Sequence, residues 1–306
     1  MIVKDMNFTK IALNFLIAAT LLAGCDPQAK KTISSDDSKI VELTLTDEVI
    51  SLMADKGRTI SVRVLTPAGC EACPLVIFSH GANAAFDRYD ALLLPLAKKG
   101  YRIAAPNHTD SEDHSARSQY TAQDWLPTRL EDYNVIAARF ETNYRVAAGH
   151  SFGAMIAQVA GGAEISLPVK IDPAYKPNAV LAYSPPGPIP NYIGPQGWNK
   201  MTVPSLVTTG TKDIVPMMAE KWEAHLVSYD SAPPNTSFAL IYDNMDHYMN
   251  GAYGRETPET TEARERAINH MVDTSIYFMS KLQTGGKLLP KDWDAHKRVF
   301  VETRTK

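Results

Sequence analysis

The 306-residue sequence has few cysteines, no cluster of charge of one sign and only one long apolar run. Three cysteines are too few for a disulfide-held scaffold, and they lack the number and spacing of a structural zinc site. The formal charge is -3 and no basic stretch follows the pattern of a phosphate-binding surface, which argues against a nucleic-acid partner. With 44% hydrophobic and 21% charged residues the composition is globular, which excludes collagen-like, coiled-coil and wholly disordered chains.

The apolar run lies at the N-terminus and is typical of a signal peptide. Lys4 and Lys10 precede apolar residues 11–23, a stretch shorter than the roughly 20 residues that span a bilayer. It ends in LAGC at residues 22–25, which resembles the lipobox of bacterial lipoproteins. We therefore expect residues 1–24 to be a signal peptide and Cys25 to carry the lipid. A plain secretory signal and an N-terminal core helix are the alternatives.

The residues after the lipobox predict a short tether and then one domain. Asp26 resembles the signal that retains enteric lipoproteins at the inner membrane, so we expect a lipid-anchored protein of the cell envelope, on the periplasmic side. Residues 25–39 are polar and without periodicity, as in a flexible tether. No repeat or break in composition divides residues 40–306, which we expect to form a single, monomeric domain.

Cys70 and Cys73 form a Cys-x-x-Cys pair in what we expect to be an exported protein, where thiols oxidise. The pair therefore predicts a small disulfide-closed loop. A redox-active pair would need a helix after its first cysteine to lower the thiol pKa, but residues 74–78 read as a strand. A metal-binding pair would need a second pair of ligands nearby.

The hydrophobic pattern predicts the α/β class. Apolar residues alternate at residues 41–45 and 60–64, as in half-buried antiparallel strands. Six continuous apolar runs indicate strands covered on both faces, as in a parallel sheet: residues 75–78, 102–105, 144–148, 179–183, 205–208 and 238–242. Five segments read as helices: residues 89–99, 130–140, 154–160, 216–229 and a last one from Pro258 to near Gly285. This alternation predicts a mostly parallel, doubly wound sheet with antiparallel N-terminal strands.

Polar residues follow the carboxyl ends of these strands, where open α/β sheets bind ligands. GHSFG at residues 149–153 lies between a strand and a helix and fits a nucleophile elbow, in which glycines allow a sharp turn that exposes the central serine. We expect Ser151 to be a nucleophile. The alternative is a serine that only caps the helix beginning at Phe152.

A serine nucleophile needs a base, and the base needs an acid that orients it. Asp213 follows the fifth apolar run and is our candidate acid, although a turn or helix-cap aspartate would fit the same place. His247 follows the sixth run and is our candidate base, which gives the chain order Ser, Asp, His of α/β-hydrolases. The patterns around three other histidines indicate surface or packing residues: His225, His270 and His296.

An oxyanion hole requires two backbone N–H groups near the nucleophile. Phe152 supplies one because it begins a helix and its N–H lacks an intrahelical acceptor. Ala82, in the loop after the first apolar run, is the candidate for the second, and His80 is expected to brace that loop. This chemistry needs no cofactor.

Two further loops have less specific signals. Residues 107–114 hold two histidines and three carboxylates, a set that fits a divalent ion but also a substrate or surface loop, and we expect no metal there. Proline-rich residues 184–198 carry Tyr192 and Trp198, which we expect to wall a substrate pocket together with Trp125. A rigid surface connection is the alternative.

Five segments together resemble a known family: FSHG at 78–81, LAKKGYRIAAPNH at 96–108, GHSFG at 149–153, SPPG at 184–187 and GTKD at 210–213. They are similar to α/β-hydrolases grouped as dienelactone-hydrolase-like and platelet-activating-factor-acetylhydrolase-like esterases, with bacterial polyester hydrolases and chlorophyllases as relatives. The resemblance covers about residues 74–282.

The resemblance implies the α/β-hydrolase fold and a metal-independent carboxylic ester hydrolase that forms an acyl-enzyme, with a small-molecule or lipid-like ester as substrate. Dienelactone hydrolases have cysteine where this chain has Ser151, so dienelactone is not the expected substrate. Two alternatives remain open: a peptidase or amidase on the same fold, and a non-catalytic membrane-tethered binding protein.

Overall fold

One mixed sheet runs through the part of the chain that the computed structural model describes, which is residues 44–169, 171–254, 261–288 and 301–305. All of these residues belong to one compact unit, Glu42–Lys306. Its strands in chain order are β1 (Leu45–Met53), β2 (Thr59–Pro67), β3 (Leu75–Ser79), β4 (Arg102–Asn107), β5 (Arg145–His150), β6 (Ala179–Tyr183), β7 (Ser205–Lys212), β8 (Ser237–Asp246) and β9 (Val301–Thr305).

The spatial order of the strands is β1-β2-β4-β3-β5-β6-β7-β8-β9. The six strands from β4 to β8 in this order pair parallel, while β1 and β2 pair antiparallel at one edge and β9 pairs antiparallel with β8 at the other. The six continuous apolar runs are these six parallel strands, so the predicted fold class is confirmed. Since all six strands run in the same direction, their carboxyl ends lie together at one end of the sheet.

The helices cover both faces of the sheet. They are α1 (Asp90–Lys98), α2 (Ala122–Arg139), α3 (Phe152–Ala160), α4 (Val227–Ser231) and α5 (Glu262–Gln283). Alternate residues of one strand enter opposite cores: in β3, Ile77 packs in the cluster that contains α2 and α3, and Phe78 packs in the cluster that contains α1 and α5. Strands buried on both faces read as continuous apolar runs for this reason.

The last helix has the predicted role, with a revised start. Thr261 caps α5, its hydroxyl accepting a hydrogen bond from the Arg264 N–H. Pro258, the predicted first-turn residue, lies outside the described residues. The predicted apolar stripe packs on the sheet, and the helix stops before Gly285, whose φ of 72° suits a glycine after a helix. Among the described helices, none is both long and apolar enough to cross a membrane.

Three predicted elements differ from the structure. The predicted strand at residues 41–45 falls largely outside the described residues, and β1 begins only at Leu45. α2 begins eight residues before the predicted start because Thr121 and Asp124 form a capping box. Residues 216–221 are not helical, because Val215 and Ala219 exchange backbone hydrogen bonds and close a turn there. Helix forms only from Trp222, as a 3₁₀ turn (Trp222–Leu226) followed by α4.

A disulfide joins Cys70 and Cys73, as predicted, in the loop between β2 and β3. Their Cα atoms are 5.5 Å apart, a usual spacing for a disulfide. The predicted signal peptide, the tether and Cys25 lie outside the described residues, so these assignments stay predictions.

Candidate active site

Ser151 occupies a sharp turn between β5 and α3. Its backbone has φ 54° and ψ −121°, a conformation that costs a non-glycine residue of the order of 1–3 kcal/mol. The chain passes close to β3 here: a Cβ on Gly153 would collide with the Ser79 carbonyl, and one on Gly149 would collide with the backbone of Gly153. Both glycines are therefore needed for the turn. The Ser151 side chain makes no helix-capping hydrogen bond, which leaves its hydroxyl to other partners.

The structure brings Ser151, His247 and Asp213 into one hydrogen-bonded chain. The Ser151 Oγ lies 2.9 Å from His247 Nε2, and His247 Nδ1 lies 2.7 Å from Asp213 Oδ1. Because a carboxylate only accepts, Nδ1 carries the proton and Nε2 has a lone pair for the serine proton. The chain runs from half-buried Ser151 to fully buried Asp213.

Asp213 is held ionised although it is buried. Burial raises the pKa of its carboxyl, but the contacts with His225 and His247 outweigh burial and hold that pKa well below its ordinary value. Its second oxygen, Oδ2, accepts a hydrogen bond from the Thr209 hydroxyl at 2.8 Å. Each of the two carboxylate oxygens therefore accepts a hydrogen bond, from His247 or from Thr209, which fixes the orientation of the carboxylate.

His225 is a neighbour of Asp213 that sequence reasoning missed. The sequence predicts a surface or packing residue; the side chain is fully buried, as a packing residue would be, and its Nε2 lies 2.8 Å from Asp213 Oδ1. Its Nδ1 lies 2.7 Å from the Pro185 carbonyl oxygen. No motif marks this histidine, which stands twelve residues after the acid in a segment with a helical pattern.

A second hydrogen-bonded chain connects three loops around Ser151. The Gly81 N–H donates to the Tyr89 hydroxyl at 2.9 Å, and that hydroxyl lies 3.0 Å from His150 Nδ1. His150 Nε2 lies 2.8 Å from the His247 carbonyl oxygen and donates to it. Burial holds the pKa of His150 well below its ordinary value, so the ring is neutral and Nδ1 accepts the Tyr89 proton. Tyr89 and His150 were not predicted as site residues.

A cavity of about 480 Å³ opens beside Ser151 and His247, and Ala82 lines it with them. Ala82 stands on the loop after β3, and Phe152 is the first residue of α3, so no carbonyl four residues earlier in the helix accepts from its N–H. Both predicted oxyanion residues thus flank the nucleophile. His80 braces the loop as expected: its Nδ1 bonds the Gly81 carbonyl and its Nε2 accepts the His108 N–H.

The loop of residues 107–114 is tied into the protein by its polar side chains. Arg129 of α2 pairs with Asp110 through two hydrogen bonds, of 2.9 and 2.7 Å, and also donates to the His80 carbonyl. Burial raises the pKa of Asp110, but the Arg129 charge outweighs it and holds that pKa well below its usual range. Asp110 therefore braces the oxyanion loop through Arg129.

One grouping among the described residues is compact enough for a metal ion: Asp213, His225 and His247. The Asp213 carboxylate already contacts both histidines at 2.7–2.8 Å, and His247 also bonds Ser151. We interpret this group as a network of hydrogen bonds and ion pairs that includes the Ser151–His247–Asp213 chain. A larger cavity, of about 980 Å³, is lined by Arg58 and His114 and touches none of these residues.

The structure also contains a second Ser-His-Asp chain, in the interior. The Ser79 Oγ lies 2.8 Å from His108 Nε2, and His108 Nδ1 lies 2.6 Å from Asp132 Oδ2. The other Asp132 oxygen lies 2.5 Å from an Arg58 nitrogen. All three members of this interior chain are buried.

The aromatic residues predicted to wall the substrate pocket have different positions. Trp198 is 1% exposed and its indole N–H donates to Gln158 at 2.9 Å, so it is a core residue that does not reach the cavity. Trp125 and Tyr192 each place a ring 6.5 Å from that of Phe152, centroid to centroid. These two lie next to an oxyanion residue.

Residues 56–146 match the model of platelet-activating factor acetylhydrolase, isoform II. The match contains Ala82 and ends before Ser151. A search of curated proteins finds no significant match.

Solved structures share the fold over most of the chain. A putative dienelactone hydrolase from Klebsiella pneumoniae subsp. pneumoniae MGH 78578 has a TM-score of 0.58 and 14% identity, covering 78% of this chain and 99% of that chain. Est1E from Butyrivibrio proteoclasticus, solved with ferulic acid, has a TM-score of 0.55 and 16% identity, covering 74% and 98%.

A structure from a study of two prolyl endopeptidases has a TM-score of 0.56 and 14% identity, covering 78% of this chain and 39% of that chain. The chain therefore has the α/β-hydrolase fold, which these comparisons show in both a putative dienelactone hydrolase and a prolyl endopeptidase.

Proposed function

We propose that this protein is a serine-dependent carboxylic ester hydrolase that works through Ser151, His247 and Asp213. One observation carries the proposal: the hydrogen-bonded chain of these residues ends at a strained serine that lines an open cavity. The positive φ of Ser151 costs stability, and a non-catalytic binding protein would gain nothing from this strain. The fold and the family match to residues 56–146 support the ester hydrolase class.

The acylation step follows from the direction of the hydrogen bonds in the Ser151–His247–Asp213 chain. His247 Nε2 takes the Ser151 proton as the serine oxygen attacks the ester carbonyl carbon. The negative charge that develops on the carbonyl oxygen is stabilised by the N–H groups of Ala82 and Phe152. Asp213 holds His247 in the tautomer that can accept a proton and stabilises the imidazolium that forms. His247 then protonates the leaving alcohol, and the acyl group stays on Ser151.

Deacylation reverses these roles with water as the nucleophile. His247, neutral again, takes a proton from water, and the resulting attack on the acyl-enzyme carbonyl forms a second oxyanion in the same hole. Collapse of this intermediate releases the acid and returns the proton to Ser151. Protein groups supply every proton transfer, so the mechanism uses no metal or cofactor.

The residues around the cavity support a small-molecule or lipid-like ester as substrate. Val215 and Met218 give one wall an apolar surface beside the catalytic chain. Met217, on the same turn, is 95% exposed. We propose that Trp125 and Tyr192, which pack near Phe152, form the wall on the other side of the nucleophile.

A lipid anchor on Cys25 belongs to the same proposal, with the domain held by its tether on the periplasmic side of a bacterial membrane as a monomer. Metabolic labelling with a fatty acid in a bacterial host tests the anchor, and Cys25→Ser should abolish the label. Label retained by that variant would contradict lipidation at Cys25.

A fluorophosphonate probe tests the catalytic proposal, because only an activated serine reacts readily with it. We expect the purified protein to be labelled at Ser151, and to hydrolyse a short p-nitrophenyl ester faster than the matched anilide. Labelling at Ser151 with faster turnover of the anilide would make the protein an amidase or peptidase. No labelling and no turnover would leave a binding protein and refute the hydrolase.

A further inference from the structure

His225 lies between two groups that only accept hydrogen bonds. Its Nδ1 is 2.7 Å from the Pro185 carbonyl oxygen, and its Nε2 is 2.8 Å from Asp213 Oδ1. The ring is fully buried on the 3₁₀ turn Trp222–Leu226, so water cannot replace either partner. A neutral imidazole carries one proton and would turn a lone pair towards one of the two oxygens.

We infer that His225 is a protonated positioning residue of the catalytic site, which pairs with Asp213 from the side opposite His247 and holds the carboxylate towards the base. The inference rests on the proposed serine hydrolase function. Asp213 Oδ1 then contacts both His225 and His247, while Oδ2 accepts from Thr209.

The electrostatic surroundings support the protonated form. Burial lowers the pKa of His225, but the Asp213 carboxylate outweighs burial and raises the pKa above its ordinary value. The Nε2–H contact is an ion pair and not a well-aligned hydrogen bond, because the N–H has no acceptor in hydrogen-bond geometry. The other titratable groups facing His225 are His247, with ring centroids 5.5 Å apart, and neutral His150.

His225 also connects two loops of the site. Its Nδ1–H holds the loop after β6, where Gly187 with φ 73° lies against the Ala224 carbonyl and a Cβ would collide with it. Its Nε2–H holds the turn after β7 that carries Asp213. A buried cation beside a buried carboxylate compensates its charge, so Asp213 stays ionised without depending on His247 alone.

The charge of His225 has a consequence for turnover as a function of pH. A positive charge near His247 disfavours a second positive charge there. Removing the charge at His225 therefore favours protonation of His247, and the acid limb of the kcat/KM profile should move to higher pH. A purely structural residue would change stability without moving this limb.

A pair of variants separates the two contacts. In His225→Asn the side-chain amide can replace Nδ1 and keep the Pro185 contact, whereas in His225→Gln it can replace Nε2 and keep a neutral donor to Asp213. We expect His225→Asn to lower kcat about 10- to 100-fold with KM nearly unchanged. We expect His225→Gln to recover part of kcat, and both variants to show the shifted acid limb.

His108→Asn is the matched control, because His108 is equally buried but contacts no residue of the catalytic chain. It should lose stability and keep the acid limb of the wild type. An unshifted acid limb and unchanged kcat in both His225 variants would overturn the inference. Labelling of Ser151 in the wild-type protein tests the hydrolase function separately, so the two failures are distinguishable.

A measurement on the unaltered protein keeps the inference testable if the variants do not fold. NMR of the full chain labelled with ¹⁵N-histidine reports the protons on each ring nitrogen. We expect one buried histidine to carry protons on both nitrogens at pH 7 and to be His225 by assignment. A single-proton tautomer of His225 at that pH would refute the inference.

Discussion

Two Ser-His-Asp chains with the same order of hydrogen bonds differ in the backbone conformation and the accessibility of their serines. In Ser151–His247–Asp213 the serine stands on a strained turn, half-buried beside a cavity. In the interior chain, Ser79 is the last residue of strand β3 and is 5% exposed. Its histidine and aspartate, His108 and Asp132, are fully buried.

Hydrogen-bond geometry does not by itself make a serine a nucleophile. A substrate carbonyl must reach the serine oxygen, and donors must surround the oxyanion. The proposed catalytic chain has both the cavity and the flanking N–H groups of Ala82 and Phe152. The interior chain instead fixes the end of β3, directly before the oxyanion loop, against α2. We interpret it as a structural support for the site.

The largest expected difference between the chains is in turnover after removal of each serine. Ser151→Ala should lower kcat for a short p-nitrophenyl ester by about 10⁴- to 10⁶-fold with Tm nearly unchanged. Ser79→Ala is the matched control and should keep kcat within a few-fold while it lowers the free energy of unfolding by about 1–3 kcal/mol. Comparable loss of kcat in the two variants would contradict the assignment of Ser151 as the nucleophile.

Replacing the aspartate of each chain by asparagine should have different effects on kcat and on stability. Asp213→Asn should lower kcat by about 10⁴-fold, because the amide no longer selects the His247 tautomer that accepts the serine proton. Asp132→Asn should act on stability, since it removes the charge of the buried Asp132 and leaves Arg58 with Glu131 as its remaining carboxylate partner. Steady-state kinetics and urea unfolding of both variants check this. The division of roles fails if Asp132→Asn loses as much kcat as Asp213→Asn at equal folded fraction.

Tyr89 tests how far the loops depend on their connecting hydrogen bonds. Tyr89→Phe leaves the Gly81 N–H and His150 Nδ1 without their shared partner, which costs about 1–3 kcal/mol of stability. We expect kcat to fall about tenfold because the oxyanion loop loses its tie to the base, a loss of about 1.4 kcal/mol in transition-state stabilisation. Tyr101→Phe removes another partly buried hydroxyl, at the end of the sheet opposite the active site, and should leave kcat unchanged. Equal kcat in Tyr89→Phe and wild type would show that the loops hold without it.

The smallest expected difference between the two chains is in how each contributes to the pH dependence of stability. Burial and the Arg129 charge hold the pKa of His108 well below its ordinary value of about 6.5. Below pH 6.5 the unfolded chain therefore binds a proton at His108 that the folded protein does not, so this histidine lowers stability as pH decreases. Its partner Asp132, whose pKa burial raises to about 6, acts in the opposite sense below that pH. Each such histidine contributes a slope of up to about 1.4 kcal/mol per pH unit.

Urea unfolding between pH 5 and 7 checks this slope. His108→Gln should flatten it by one proton, whereas Ser79→Ala, which removes no titratable group, should keep it. His225, with its raised pKa, acts in the opposite sense, because the folded protein keeps a proton that the unfolded chain releases as pH rises. A slope unaffected by His108→Gln would mean that His108 is protonated in the folded protein.

The local hydrophobic pattern of the sequence was sufficient to predict most of the fold. The parallel strands are buried on both faces, and this burial leaves continuous apolar runs that the sequence displays, as at β3 and β6. Residues 216–221 were misassigned because their helical pattern competes with a turn closed by Val215 and Ala219. Trp198 was assigned to the substrate pocket because its loop follows a strand end, yet its indole packs inward on Gln158.

Local sequence pattern is enough to predict the elbow around Ser151, the chain order of the proposed acid and base, and the disulfide, because each depends on residues close together in the chain or on strand ends. The contact of His225 with Asp213, the connection of three loops by Tyr89 and His150, and the buried second Ser-His-Asp chain are visible only in the folded structure. Those contacts join residues from distant elements, and no local period or motif encodes the distance between two side chains after the sheet has formed.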